Sequence, residues 1–282
     1  MSKVIDPRRY HTDKPTFDSY FRNYERIFAP LVAKPIRLLE LGVNRGGSLE
    51  LWRDYFSKGT VCGIDIDPVQ INDRSGRIRV YQGFQQDTKL LDRVRAESAP
   101  DGFDIIIDDC SHIGEFTALS FWHLFDHHLK AGGIFVIEDW GTGYMRGWPD
   151  GAPYRPKRVA PSIRSRFRPA LESLLTRPDL KAHLVRKFLT AALNRMVRTR
   201  FPSHQHGLVG FVKQLVDEVA LPDITYPTWG TPPARESPFA GMQVYHGQVF
   251  IFKAATAKEG PKIIPRRRRT RRAHSAKKPK KH

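Results

Sequence analysis

The sequence predicts an α/β protein built on a doubly wound, mostly parallel sheet. Two observations predict this fold. Apolar runs of strand length alternate with segments of helical periodicity through residues 16–138, and most of these runs end abruptly in acids or glycines. Two further strand-like runs meet at a tight turn near the C-terminus, which predicts a closing antiparallel hairpin. The basic and aromatic stretch before them predicts a helical and loop insertion.

The predicted elements follow the chain in order. Residues 16–32 carry apolar and aromatic side chains at helical spacing. Strands are expected where short apolar runs are bounded by turn residues, at 36–41, 61–66, 77–81, 103–108 and 133–138. Helices are expected at 48–56, from Pro68 onward, at 115–129 with a stop at Ala131-Gly132-Gly133, in two pieces of 164–200, and at 208–219. The hairpin is expected to pair 242–245 with 248–252 around His246-Gly247.

These features divide the chain into five predicted parts: a helical cap at 1–34, a core at 35–140, a variable lid and basic helical insertion at 141–235, a closing β-hairpin at 236–256 and a disordered basic tail at 257–282. The net charge of +18 arises in two segments. Residues 151–200 hold 13 basic and 2 acidic residues, and residues 260–282 hold 11 basic and none acidic. The near-neutral remainder argues against a nucleic-acid enzyme whose whole active face is basic.

The composition also indicates a compartment. Two cysteines occur, and their spacing matches neither a disulfide framework nor a zinc site. The sequence shows no secretory signal and no apolar run of about 18 residues, the length that a membrane span needs. We therefore expect a cytoplasmic protein.

Two of the predicted strands end in adjacent acids. Asp108 and Asp109 close one strand, and Glu138 and Asp139 close the other. The carboxyl ends of strands in an open α/β sheet line one crevice, so Asp109, Glu138 and Asp139 are expected to meet there. Unpaired carboxylates repel one another, which favours a hard divalent cation between them. The alternative, for a single pair, is that the acids cap the following helices.

A glycine-rich turn follows the first strand. Glu40 and Gly42 precede Gly46 and Ser48 at a strand-to-helix junction, where a backbone without side chains lets a ligand approach the helix N-terminus. Asp65, at the end of the second strand, suits the two hydroxyls of a ribose. Together these residues favour a nucleoside-type cofactor, although a purely structural turn also explains the glycines.

Several motifs together carry a family resemblance. They are His-Thr-Asp-Lys at 11–14, Leu-Glu-Leu-Gly-Val at 39–43, Gly-Gly-Ser-Leu at 46–49, Gly-Ile-Asp-Ile at 63–66, Phe-Asp-Ile-Ile-Ile-Asp-Asp at 103–109, Ser-His at 111–112 and Val-Ile-Glu-Asp at 136–139. With these motifs the sequence resembles the class I S-adenosylmethionine-dependent methyltransferases, which have a Rossmann-like core. More narrowly, it is similar to the metal-dependent O-methyltransferases of macrolide sugars, the mycinamicin and macrocin type. The resemblance covers residues 10–140 and the hairpin.

The resemblance implies a role for each matching residue. The cofactor S-adenosylmethionine would be bound by Glu40, Gly42, Gly46, Ser48, Asp65 and Asp108, and Mg²⁺ by Asp109, Glu138 and Asp139. His112 would be the catalytic general base. Three positions depart from the family pattern: Cys110 stands where the family usually has glycine, Phe84 where it has an acid, and His11 where it has glycine. Phe84 leaves the adenine contacts of that loop unassigned.

The expected function is therefore Mg²⁺-dependent O-methylation of a sugar hydroxyl in a glycosylated natural product or a glycolipid. Two alternatives remain: a nucleic-acid-associated protein or RNA methyltransferase on the same scaffold, and a hydroxylase or methoxylation activity like that of cephalosporin-tailoring relatives. A homo-oligomer is expected. Four aromatic residues either stack on the acceptor or simply cover the site, namely Trp140, Tyr144, Trp148 and Tyr154.

The two basic segments have separate predicted roles. Residues 182–201 form a basic amphipathic helix that contacts a membrane surface, an anionic partner or another subunit, or else packs on the domain. The tail at 260–282 is expected to bind polyanions non-specifically and in a salt-dependent way.

Overall fold

The structure is a computed structural model that describes residues 5–15, 18–155 and 203–255, together with Ala170, Ser173, Lys187, Phe188, Thr190 and Ala191. Most of the predicted basic insertion at 164–200 and all of the predicted tail at 257–282 lie outside the described residues, as do the first two residues of the helix predicted at 16–32.

The described residues contain one seven-stranded sheet with the order β3-β2-β1-β4-β5-β7-β6. Its strands are β1 (Arg37–Leu41), β2 (Thr60–Asp65), β3 (Ile78–Gln82), β4 (Phe103–Asp108), β5 (Leu129–Glu138), β6 (Phe239–Val244) and β7 (Gln248–Lys253). The first five strands pair in parallel, and the hairpin of β6 and β7 joins β5 in antiparallel register. The predicted fold class is confirmed.

Helices cover both faces of this sheet. They are α1 (Asp18–Phe28), α2 (Gly47–Tyr55), α3 (Thr88–Ser98), α4 (Gly114–His127), α5 (Gly207–Val219) and the short α6 (Leu221–Ile224), with 3-10 turns at Pro7–Arg9, Ala29–Leu31 and Trp140–Tyr144. Alternate strand residues point to opposite faces. On one face Ile105 and Ile107 pack with α1 and α2, and on the other Ile106 packs with α3, α4 and α5. Each core therefore draws on every second residue of the same strands.

Two predictions of secondary structure are wrong. The segment after Pro68 forms no helix; instead the Asp73 carboxylate accepts hydrogen bonds from the backbone of Ser75, Arg77 and Ile78, which shapes a loop that leads into β3. The helix forms after β3, where the Asp87 side chain caps the first turn of α3 by accepting from the amides of Lys89 and Leu90.

The second error lies between α4 and β5. Helix α4 ends at His127 and β5 begins at Leu129, so Ala131-Gly132-Gly133 lie inside the strand. The register between β4 and β5 shifts at this point, and Gly132 has a φ of +73° that a residue with a side chain rarely adopts. The glycines therefore accommodate an irregular strand rather than a helix end.

The predicted hairpin is confirmed. The Tyr245 amide donates to the Gln248 carbonyl at 2.7 Å, and Gly247 takes a positive φ of +74° at the second position of the turn. Within the part of the chain that the structure describes, no helix is long and apolar enough to cross a bilayer.

Candidate active site

One cavity of about 990 Å³ opens at the carboxyl ends of the parallel strands. Its wall is formed by residues that follow β1, β2, β3, β4 and β5, together with the segment 10–13. Six of the predicted site residues line it: Gly42, Ser48, Asp65, Asp109, His112 and Asp139. The topology thus brings together side chains that lie up to about a hundred residues apart in the chain, as expected for strand ends in a doubly wound sheet.

The glycine turn after β1 is held tightly against β4. Gly42 has a φ of +82°, and a Cβ atom there would lie 2.1 Å from the backbone oxygen of Asp109. The Asp65 carboxylate supports the same turn, because its Oδ2 accepts hydrogen bonds from the amides of Val43 (2.7 Å) and Asn44 (2.8 Å). Asp65 therefore both lines the cavity and fixes the backbone that faces it.

Three predicted cofactor-binding residues lie behind the cavity wall. Glu40 and Asp108 are buried, and Gly46 packs against Ile71; none of the three lines the cavity. The Glu40 carboxylate accepts from the Ser48 hydroxyl at 2.7 Å. These residues shape the turn and the strand ends, and their direct contact with the cofactor stays a prediction.

Asp108 anchors the loop after β4. Its carboxylate accepts a hydrogen bond from the Gln85 amide nitrogen at 3.2 Å and from the Ser120 hydroxyl at 3.4 Å. Burial raises the pKa of Asp108 to about 6. The Gln85 side-chain oxygen in turn accepts from the Ser111 amide at 3.0 Å, so this buried network fixes the loop that carries His112.

A buried lysine, not assigned any role from the sequence, sits beneath the cavity. The Nζ atom of Lys14 lies 2.5 Å from Asp109 Oδ2, 2.8 Å from Glu138 Oε1 and 3.3 Å from Glu40 Oε1. Burial by itself lowers the pKa of Lys14, but the three carboxylates outweigh it and hold the pKa well above its usual range. Lys14 therefore remains charged. The sequence feature that could have pointed to Lys14 is its place in the His-Thr-Asp-Lys motif at 11–14.

Glu138 shares this lysine with Asp109. Its carboxylate pairs with Lys14 and accepts a hydrogen bond from the Tyr24 hydroxyl. Burial, and then the negative charge of Asp109, hold the pKa of Glu138 well above its usual range. In this arrangement Glu138 contacts the buried lysine beside Asp109. Its role as a metal ligand stays a prediction.

The side chains of Asp109, His112 and Asp139 lie close together in the wall of the cavity. The Nε2 atom of His112 lies 3.8 Å from Asp109 Oδ1 and 3.8 Å from Asp139 Oδ2, and the three ligand atoms all lie within 4.8 Å of one another. Two carboxylate oxygens are the hard donors that Mg²⁺ prefers. The donor set of Asp109 and Asp139 therefore fits a divalent cation, with the imidazole beside it.

His112 and Asp139 are held in an unusual backbone conformation. Their φ angles are +52° and +49°, in the left-handed region that non-glycine residues seldom adopt. The His112 carbonyl accepts hydrogen bonds from the side chains of Thr142 and Trp148, both at 3.1 Å, and the Tyr20 hydroxyl donates to Asp139 Oδ1 at 2.8 Å. Such strain persists where the surroundings enforce it, and it commonly marks functional sites.

The aromatic residues after β5 do not line the cavity. The Trp148 ring lies 5.8 Å from the His112 ring, and Trp140 donates its indole N–H to the Tyr245 carbonyl at 2.8 Å. Tyr144 and Tyr154 contact each other with ring centroids 5.4 Å apart. The apolar side chains of Ile66 and Phe84 line the cavity instead, and they are 53% and 57% exposed.

Comparison with known proteins finds O-methyltransferases among the proteins similar to this chain. The chain is 40% identical over 149 residues to mycinamicin VI 2''-O-methyltransferase of Micromonospora griseorubida, a match that covers 50% of this chain and 36% of that protein. It is 28% identical over 275 residues to demethylmacrocin O-methyltransferase of Streptomyces fradiae, covering 94% and 55%. The chain is therefore similar to these two O-methyltransferases over part of their length.

The fold of this chain is similar to that of a solved structure. The MycE methyltransferase from the mycinamycin biosynthetic pathway, in complex with Mg and SAH, superimposes with a TM-score of 0.62 and 29% identity, over 94% of this chain and 58% of that one. The matches span between about a third and just over half of the length of these curated relatives. No protein-family model matches it.

Proposed function

We propose that this chain is an S-adenosylmethionine-dependent and Mg²⁺-dependent O-methyltransferase that acts on a sugar hydroxyl of a glycosylated natural product or glycolipid. The observation that carries the proposal is the convergence of Asp109, His112 and Asp139 at the mouth of the cavity behind the Gly42 turn. The homology to macrolide sugar O-methyltransferases supports the same reaction class.

The cavity offers separate places for cofactor and cation. Gly42, Ser48 and Asp65 would hold the cofactor, because they line the wall at the β1 and β2 ends. Asp109 and Asp139 would hold Mg²⁺ through their hard oxygens. When bound, S-adenosylmethionine supplies an electrophilic methyl group and Mg²⁺ lowers the pKa of a coordinated sugar hydroxyl.

His112 is positioned to remove the proton of the acceptor hydroxyl. Its Nε2 atom faces the same space as the two carboxylates, at 3.8 Å from each. The hydrogen bonds from Thr142 and Trp148 to its carbonyl fix the loop, and the Trp148 ring covers the imidazole. The His112 imidazole can therefore accept a proton while Asp109 and Asp139 flank the positive charge that results.

The variants His112→Ala and Asp139→Asn test this assignment. Removing a general base lowers turnover about 10²–10⁴-fold, so His112→Ala should lose that much activity while cofactor binding stays intact. Asp139→Asn should lose activity and its dependence on added Mg²⁺. The measurement is formation of a methylated product from a demethylated macrolide glycoside, followed by mass spectrometry.

The control is Asp126→Asn, which removes an exposed acid from α4, away from the cavity. This variant should retain wild-type turnover. Full activity of His112→Ala, or of the wild type in excess chelator, would contradict the proposal. Product mass also separates the hydroxylase alternative, since methylation adds CH₂ and hydroxylation adds one oxygen atom.

A further inference from the structure

A second group of potential ligands lies between α3 and α4, and none of its members lines the cavity. The Nε2 atoms of His123 and His128 each lie 2.7 Å from the same oxygen, Asp92 Oδ1. Two imidazoles thus contact the same carboxylate oxygen. All three ligand atoms lie within 4.8 Å of one another.

This arrangement has the chemistry of a transition-metal site. Two imidazole nitrogens and one carboxylate oxygen are the donors that zinc accepts, and a fourth position is completed by water or another residue. The ring of His127 lies 5.3 Å from that of His123, which places a third imidazole at the edge of the group. Mg²⁺ favours oxygen donors, so this group differs in kind from Asp109 and Asp139.

The group is also open to solvent on one side. His128 is buried, at 8% exposed. Asp92 and His123 are accessible from solvent, with side chains 56% and 19% exposed, so an ion can reach them.

We infer that Asp92, His123 and His128 form a zinc-class metal site that ties α3 to the end of α4 and the start of β5. The site is structural, because it lies outside the cavity. His128 immediately precedes β5, so an ion there fixes the amino end of this strand, opposite to the carboxyl end that leads into the candidate active site. The inference does not depend on the proposed reaction.

Zinc titration of the chelator-treated full-length chain tests the inference. Calorimetry counts the zinc ions bound by the wild type, Asp92→Asn and His123→Gln. Each variant should bind one zinc fewer than the wild type. Zinc at about 100 times its Kd should raise the wild-type Tm by roughly 5–10 °C, and this shift should be absent in both variants.

The matched control is Asp126→Asn, which removes the same charge from a neighbouring exposed position on α4. It should bind as many zinc ions as the wild type, and zinc held at Asp109 and Asp139 would persist in all four proteins. Circular dichroism checks that each variant is folded, and His123→Gln provides a second test if Asp92→Asn is not. Equal zinc counts in Asp92→Asn, His123→Gln and Asp126→Asn would overturn the inference.

Discussion

Lys14 is the residue on which the charge balance beneath the site depends. Glu40 and Glu138 are fully buried, and burial of an unpaired carboxylate is costly. Lys14 contacts both, and Asp109 as well, so three acids share one buried cation. Spacing along the sequence could not reveal this group, because Lys14 and Asp109 lie 95 residues apart and meet only through tertiary packing.

Replacing Lys14 by methionine should destabilise the fold strongly. Removing one partner of a buried ion pair leaves uncompensated charge, which costs about 3–5 kcal/mol of unfolding free energy. Burial already raises the pKa values of Glu40, Asp109 and Glu138, and loss of the lysine charge raises them further. The folded variant then binds more protons than the unfolded chain, so its stability should increase as the pH falls from 7 to 5. Urea unfolding at both pH values, in the presence of a chelator, measures this.

Lys130→Met is the matched control for this variant. Lys130 pairs with Asp104 at 2.9 Å, but both side chains are about one-third exposed, so their loss should cost roughly 0–1 kcal/mol. Comparable destabilisation of the two variants would contradict the role assigned to Lys14.

At the scale of the elements, we propose that the turn between β1 and α2 binds the cofactor. Gly42→Ala should abolish binding of the demethylated cofactor and lower the Tm, because a Cβ atom there meets the Asp109 backbone at 2.1 Å. Gly76→Ala is the control. Gly76 also has a positive φ (+67°), but nothing lies within 4 Å of its Cβ position, so only about 1–2 kcal/mol of backbone strain is expected. Calorimetry measures cofactor binding by the two variants, and thermal unfolding measures their Tm. Cofactor binding by Gly42→Ala at wild-type affinity would disprove this account of the turn.

The elements also show how far the sequence predicts the structure. Strands β1 to β4 lie within one residue of their predicted bounds, because buried parallel strands read as continuous apolar runs. Helix α3 was not predicted, although its Asp87 cap and its buried Leu90, Leu91 and Val94 follow a helical pattern. At the site, the approach of Asp109, His112 and Asp139 was predictable from strand ends. The burial of Glu138 and the position of Lys14 were not, because they depend on how α1 and the preceding segment pack.

At the scale of the whole molecule, the basic tail separates two classes of function. Deleting residues 260–282 removes 11 basic residues and no acidic ones. A sugar O-methyltransferase should keep its turnover, because the cavity and its side chains lie elsewhere in the chain, while salt-dependent polyanion binding should fall. Turnover with a glycoside and retention on a polyanionic resin at increasing salt give the two readouts. Loss of turnover on deletion would favour the nucleic-acid-associated alternative.

The central claim is that Asp109 and Asp139 bind one divalent cation beside His112 in a chain loaded with cofactor. Calorimetric titration of Mg²⁺ into the full-length protein, saturated with the demethylated cofactor product, tests it most directly. The account predicts one Mg²⁺ ion per chain for the wild type and for Asp126→Asn, and none for Asp139→Asn. Mg²⁺ binding by Asp139→Asn with the wild-type affinity and stoichiometry would contradict it.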